Sequence, residues 1–177
     1  GNTYTYYVTQ NGNGLRNGSS VANAACAMKL QQILDHAGQT AVGQTDATVK
    51  VKIAGYAENA FIYHANTLAD SKDLRSYTFK IPAGISVLGG FDEREATWPE
   101  EGRDAARYMT VLSAECVDGE MPVYGYHVLT FSKQESAAAG AKTIVDGLYL
   151  EDGQATSMAG GNKENTRGGG AIVPKWV

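Results

Sequence analysis

The chain has 177 residues, 43% hydrophobic and 19% charged, enough for one domain that buries about 70% of its unfolded surface without a metal or disulfide framework. A net charge of −4, a pI near 5.3 and singly scattered Lys and Arg argue against a nucleic-acid partner, which needs clustered cations. No apolar run approaches the roughly 18 residues of a membrane-spanning segment.

Composition also sets the texture of the fold. The 21 Gly against 4 Pro, and 10 Tyr against 4 Phe, predict many turns between half-buried strands. No signal peptide is visible, and Gly1-Asn-Thr-Tyr4 reads as the trimmed start of a mature or engineered chain. Cys26 and Cys116 are either two separate thiols or one disulfide, and no Cys-x-x-Cys pair suggests a metal site.

In chain order, Tyr4 to Thr9 alternates β-formers and predicts a strand. Gln10 to Gly18 is an Asn/Gly loop that lacks the Gly-Lys-Ser/Thr ending of a phosphate cradle. Ser19 and Ser20 are N-cap candidates for a helix over Val21 to His36. Its apolar face is Cys26, Leu30, Ile33, Leu34 and Ala37, with Gly38 as the stop and His36 in the last turn.

From Val49 the period changes from 3.6 to 2. Strands are predicted at Val49–Ile53, Tyr77–Ile81, Ile85–Leu88, Met109–Leu112, His127–Phe131, Thr143–Val145, Gly147–Leu150 and Ala171–Val173. No second helix is expected. Long polar excursions fall at Asp92 to Arg107, Cys116 to Gly125 and Ala155 to Arg167. Short strands with irregular connections suit a sandwich, a barrel or a parallel β-solenoid.

An ordered set of short segments resembles one family. These are Tyr7-Val8, Gly18-Ser-Ser-Val-Ala-Asn-Ala24, Leu30-Gln-Gln-Ile-Leu34 and Ile53-Ala-Gly-Tyr56. They continue with Leu88-Gly-Gly-Phe91, Thr110-Val-Leu-Ser113, His127-Val128, Val145-Asp-Gly147 and Gly168-Gly-Gly-Ala-Ile172. Together they resemble secreted bacterial surface proteins of the pectin-lyase-like, right-handed parallel β-helix family, and the ending is similar to the Gly-Gly-Ala-Ile repeats of polymorphic outer-membrane adhesins. The turn Thr that the family carries before Tyr56 is missing.

The resemblance implies an all-β, single-stranded parallel β-helix of about three to four coils of roughly 20 to 30 residues. Residues 1–48 would be an N-terminal strand and capping amphipathic α-helix, and residues 49–177 the coils, the N-terminal part of a longer solenoid or a short form. It implies a secreted, outer-membrane or cell-surface location with the signal peptide removed. It also implies adhesion or binding of a polysaccharide or host glycan without catalysis. The rival expectation is a polysaccharide lyase or glycoside hydrolase fragment.

Two charged groups are the candidate ligand sites: Asp92, Glu93 and Arg94 with Trp98, and Asp146, Tyr149, Glu151 and Asp152. Paired carboxylates can act as acid and base on a glycosidic bond when about 5 to 10 Å apart. The bland alternative is that Asp beside Gly satisfies a turn and Glu/Arg clusters are solvated. No catalytic residue is assigned. Calcium is the one cofactor considered, for Asp146, Glu151 and Asp152, and it needs about six oxygens or more. Trp98 and Trp176 are candidate sugar platforms, with strand packing as the alternative. His64 and His127 are read as structural. Gly89-Gly90 is read as a corner after a strand that points Val87 inward. The last strand should leave an open edge that invites end-to-end self-association, or else a disordered tail after about Ala155.

Overall fold

In the computed structural model, the described residues are 1–117, 119–132, 141–156 and 169–172. Strands β1 (Thr3–Val8), β2 (Thr48–Gly55), β5 (Ser86–Asp92) and β10 (Ile144–Asp146) form one parallel sheet in the order β1-β2-β5-β10. A second parallel sheet runs β11 (Leu148–Glu151), β6 (Thr110–Ser113), β3 (Ile62–His64). The third runs β12 (Ala171–Ile172), β9 (Leu129–Phe131), β4 (Phe79–Ile81). A short antiparallel pair, β7 (Glu115–Cys116) and β8 (Val123–Tyr124), stands apart. From β2 onward, leaving that pair aside, the chain visits the three parallel sheets in turn.

The all-β, single-stranded β-helix is thereby corrected. The strands form separate short sheets rather than one stack of coils, and a 14-residue helix, α1 (Leu30–Gly43), makes a small α/β-type domain. The helix is more than a lid. Its Leu30, Ile33, Leu34, Ala37 and Ala41 belong to the same buried cluster as Val8, Val49, Val51, Ile53, Phe79, Ile81, Val87 and Leu129. Residues on both sides of position 48 thus share one core.

The alternation in the sequence explains the strands. In β2, Val49, Val51 and Ile53 turn inward while Lys50 and Lys52 take the other face. In β4, Phe79 and Ile81 are buried on either side of Lys80. Burying each such side chain contributes roughly 1.5 to 3 kcal/mol.

Several expected boundaries move. The stretch Val21–Lys29 forms two 3-10 turns, Val21–Asn23 and Ala27–Lys29, and the α-helix begins only at Leu30. Ser20 caps the first turn, its hydroxyl accepting from the Asn23 N–H at 3.1 Å. Gly38 does not stop the helix. A Cβ there would lie 2.5 Å from the Pro82 ring, so this glycine admits a close contact and the helix runs on to Gly43. His36 packs edge-on against Tyr6 at 5.1 Å. β3, β7 and β8 were not predicted.

The pair Gly89-Gly90 lies inside β5, not at a corner. Lys52 pairs with Leu88 but Ala54 pairs with Phe91, so β5 carries one extra residue. Gly90 takes φ +89°, a conformation open mainly to glycine, and a Cβ there would come within 2.9 Å of Ala105 backbone. Leu88 and Phe91, three apart, would otherwise face opposite sides of the sheet. With the bulge they share a face and join Ala54 and Trp98 in a second small core, while Val87 points into the main one.

The outer strand β4 is sealed by a side chain. The buried Gln31 amide donates from Nε2 to the Lys80 carbonyl at 3.0 Å, and its Oε1 accepts from the Lys80 N–H at 2.9 Å. One glutamine thus supplies both bonds that a neighbouring strand would make. Cys26 carries a free thiol, so no disulfide joins it to Cys116. Asp118, the 157–168 excursion, Val173 and Trp176 lie outside the described residues, as does most of the tail expected after Ala155.

Candidate functional site

The chain leaves β2 at Gly55 and β5 at Asp92, and both exits open on the same side. A loop returning to β6 lays Arg107 and Tyr108 beside them, with Tyr56 N–H donating to Met109 C=O at 3.0 Å. The result is an open cleft of about 230 Å³ bounded by Tyr56, Glu58, Asp92, Glu93, Arg94, Arg107 and Tyr108. A neighbouring hollow of about 440 Å³ shares Asp92, Arg107 and Tyr108 with it.

Asp92 and Arg94 form a two-pronged pair: Nε donates to Oδ1 at 3.0 Å and a terminal nitrogen donates to Oδ2 at 2.9 Å. The Arg94 guanidinium holds the Asp92 carboxyl below its usual range, against a smaller opposing push from burial. Asp92 also accepts from the Arg94 backbone N–H at 3.0 Å, which fixes the turn after β5.

Glu93 accepts from the Tyr56 hydroxyl at 2.8 Å, and that hydroxyl accepts from the Gln10 N–H at 2.7 Å. Burial, chiefly, pushes the Tyr56 hydroxyl well above its ordinary pKa, so it stays a neutral donor. The exposed Arg107 guanidinium lies over the Tyr108 ring at 5.2 Å, and no carboxylate pairs with it among the described residues. The floor is therefore set rigidly by paired groups, while Arg107 and Tyr108 offer a planar cation and a ring.

The other expected residues go elsewhere. Trp98 is only 4% exposed, stacked on Phe91 at 5.4 Å and met edge-on by Tyr7 at 5.6 Å, with its Nε1 donating to Glu95 C=O at 3.1 Å. It roofs the second core, so its ring is not offered to a ligand. Lys52 closes the same roof by donating to the Trp98 carbonyl.

Asp146 pairs with Arg103 at 2.7 Å and sits in the β1-β2-β5-β10 sheet. Glu151 and Asp152 lie at the end of β11 in a different sheet. Asp152, at φ +65°, accepts from the buried Ser113 hydroxyl at 2.6 Å and thereby fastens the turn. Tyr149 and Glu151 point outward on that outer strand. The described residues contain no group of three His, Cys, Asp or Glu placed to hold a metal ion, so the calcium set is not assembled there.

His64 is held structurally, its Nδ1 donating to the Glu115 carbonyl at 2.7 Å. Four polar cleft residues are absent from the sequence-based candidates: Tyr56, Glu58, Arg107 and Tyr108. Ile53-Ala-Gly-Tyr56 reads as a turn, but nothing local joins it to residues some 50 positions on. The chain matches no family model, no curated protein and no solved structure, so its functional assignment rests on this geometry.

Proposed function

We propose that the protein is a non-catalytic carbohydrate-binding module of a secreted or cell-surface protein, and that the Tyr56–Asp92–Arg94–Tyr108 cleft is its binding face. The observation carrying this reading is the pairing of a fixed carboxylate–guanidinium fork with the Tyr108 ring and the unpaired Arg107. Vicinal sugar hydroxyls suit two-pronged polar groups, and the less polar face of a pyranose suits a ring. The ordered resemblance to secreted bacterial surface proteins supports the location.

Two of the cleft's three carboxylates are already engaged, Asp92 by Arg94 and Glu93 by Tyr56, while Glu58 is exposed; the engaged pair favours holding a ligand over transferring a proton. A glycan array followed by titration of the best hit tests the proposal. Tyr108→Ala and Arg107→Ala are each expected to weaken binding about tenfold, the scale of one lost ring or charged contact. No glycan above background, or binding untouched by both substitutions, overturns it. Cleavage of polygalacturonate that Asp92→Asn abolishes would replace it with an enzyme.

A further inference from the structure

The Asn/Gly loop from Gln10 to Gly18 shares no residue with the cleft, yet it concentrates one kind of chemistry. It holds three Asn-Gly pairs: Asn11-Gly12, Asn13-Gly14 and Asn17-Gly18. With no Cβ on the glycine, its amide nitrogen can approach the side-chain carbonyl carbon of the Asn before it. The three pairs are alike as sequence, so only the fold can separate them.

The fold treats the three glycine nitrogens differently. Gly12 N–H donates to the Thr9 hydroxyl at 2.9 Å, and Gly18 N–H donates to the Asn23 carbonyl at 2.8 Å. No described residue accepts from Gly14 N–H, although the chain around it is anchored. Asn13 N–H donates to Ala24 C=O at 2.9 Å, and Arg16 N–H donates to Asn13 C=O at 2.8 Å. Between them, Leu15 N–H donates to Asn23 Oδ1 at 3.0 Å. Asn17 is engaged a second time, its Oδ1 accepting from Ser19 N–H at 3.0 Å. Asn13 and Gly14 are both exposed to water. An amide nitrogen must shed its proton to attack, and one that is donating must first give up that hydrogen bond.

We propose that Asn13 is a site of spontaneous deamidation, converting in the folded protein ahead of Asn11 and Asn17. The Gly14 nitrogen gives its proton to hydroxide or water and forms a bond to Asn13 Cγ. The bond from Cγ to Nδ2 breaks, Nδ2 leaves as ammonia, and a succinimide ring is closed. Water then opens the ring at either carbonyl, leaving aspartate or isoaspartate, with nothing oxidised or reduced. Either product adds a negative charge to the loop. Isoaspartate also lengthens the main chain by one methylene between the anchored nitrogens of Asn13 and Leu15.

The test ages the whole chain in mildly alkaline buffer and follows each Asn by fragmentation mass spectrometry, with isoaspartate read by enzymatic methylation. Asn13 should convert at least about threefold faster than Asn11 or Asn17, the scale of one hydrogen bond kept in place. In concentrated urea, where all three amides are released, the rates should draw level. Thr9→Val removes the acceptor from Gly12 N–H and should bring the Asn11 rate up toward that of Asn13. Asn13→Ser should abolish the early conversion and leave the other two rates unchanged.

Three results overturn the proposal. They are Asn11 or Asn17 converting as fast as Asn13 in the folded chain, Asn13 staying intact there after the urea-unfolded chain has converted, and an Asn11 rate that Thr9→Val does not move. The last removes the glycine hydrogen bond as the cause of the order.

Discussion

β3 and β4 are both three-residue outer strands of parallel sheets, yet their outer edges are bordered in different ways. The edge of β4 is met by α1, whose buried Gln31 makes both hydrogen bonds to Lys80 that a further strand would have made. Beside β3 the chain lays the short 3-10 turn at Ala27–Lys29 instead, with the Asn66 amide donating to the Met28 carbonyl at 3.0 Å. Unpaired edges invite association, and proteins usually blunt them. The difference teaches that edge closure here depends on what the N-terminal segment lays beside each strand, a buried side chain at β4 and a turn at β3, rather than on strand length.

Removing that side chain should have the largest effect. Gln31→Leu strands the Lys80 N–H and C=O and should lower stability by about 2 to 3 kcal/mol, read by urea unfolding, with concentration-dependent association in light scattering. A loss below about 0.5 kcal/mol would mean that Gln31 does not close the edge.

Gln31→Glu sharpens the same point at about 1 to 2 kcal/mol, because a carboxylate still accepts from Lys80 N–H but cannot donate to its carbonyl. Protonation restores the donor, and burial disfavours the charged form, so the folded-state pKa of this Glu is raised. The variant's deficit should therefore shrink as pH falls below that raised pKa. A deficit that is constant between about pH 7 and pH 4 would assign the role of Gln31 to shape alone.

The cleft gives a smaller effect of opposite sign. Asp92 titrates below its ordinary value, so its pairing with Arg94 contributes stability above about pH 4 and loses it as pH falls through the depressed folded value. Asp92→Asn should make unfolding less sensitive to acid below about pH 4. Identical acid profiles would show that the exposed fork holds its geometry without contributing stability.

The smallest change is expected in the apolar groove near β3. Met28→Asp and Val117→Asp each alter an exposed side chain and should shift stability by no more than about 0.5 kcal/mol. A larger loss would make the groove a part of the core.

β2 is legible because Val49-Lys-Val-Lys-Ile53 alternates, and alternation needs only local sequence. β3 escaped because Ile62-Tyr-His64 is too short to show a period. The helix was seen but misplaced at both ends: Cys26 to Lys29 fits the helical pattern yet forms a 3-10 turn, and Gly38 looked like a stop although it faces Pro82. The arrangement of the sheets, and so the fold class, depends on long-range packing of α1 that no local pattern carries. At the site, Asp92 and Arg94 were readable as neighbours. Tyr56 and Tyr108 reach them only through folding, and Trp98 had no local sign that Phe91 and Tyr7 would cover it.

The extra residue at Gly89-Gly90 gives β5 two parities, one on each side of the bulge. Side chains before it keep one assignment to the two faces, and those after it keep the reverse. A single-residue deletion there would leave every later side chain chemically unchanged while exchanging inside for outside. Phe91 would turn from Trp98 toward the main core, and Asp92 would be carried to the opposite face of the sheet. The cleft is thus a frame-dependent object, as sensitive to the count of residues in one strand as to the identity of those that line it.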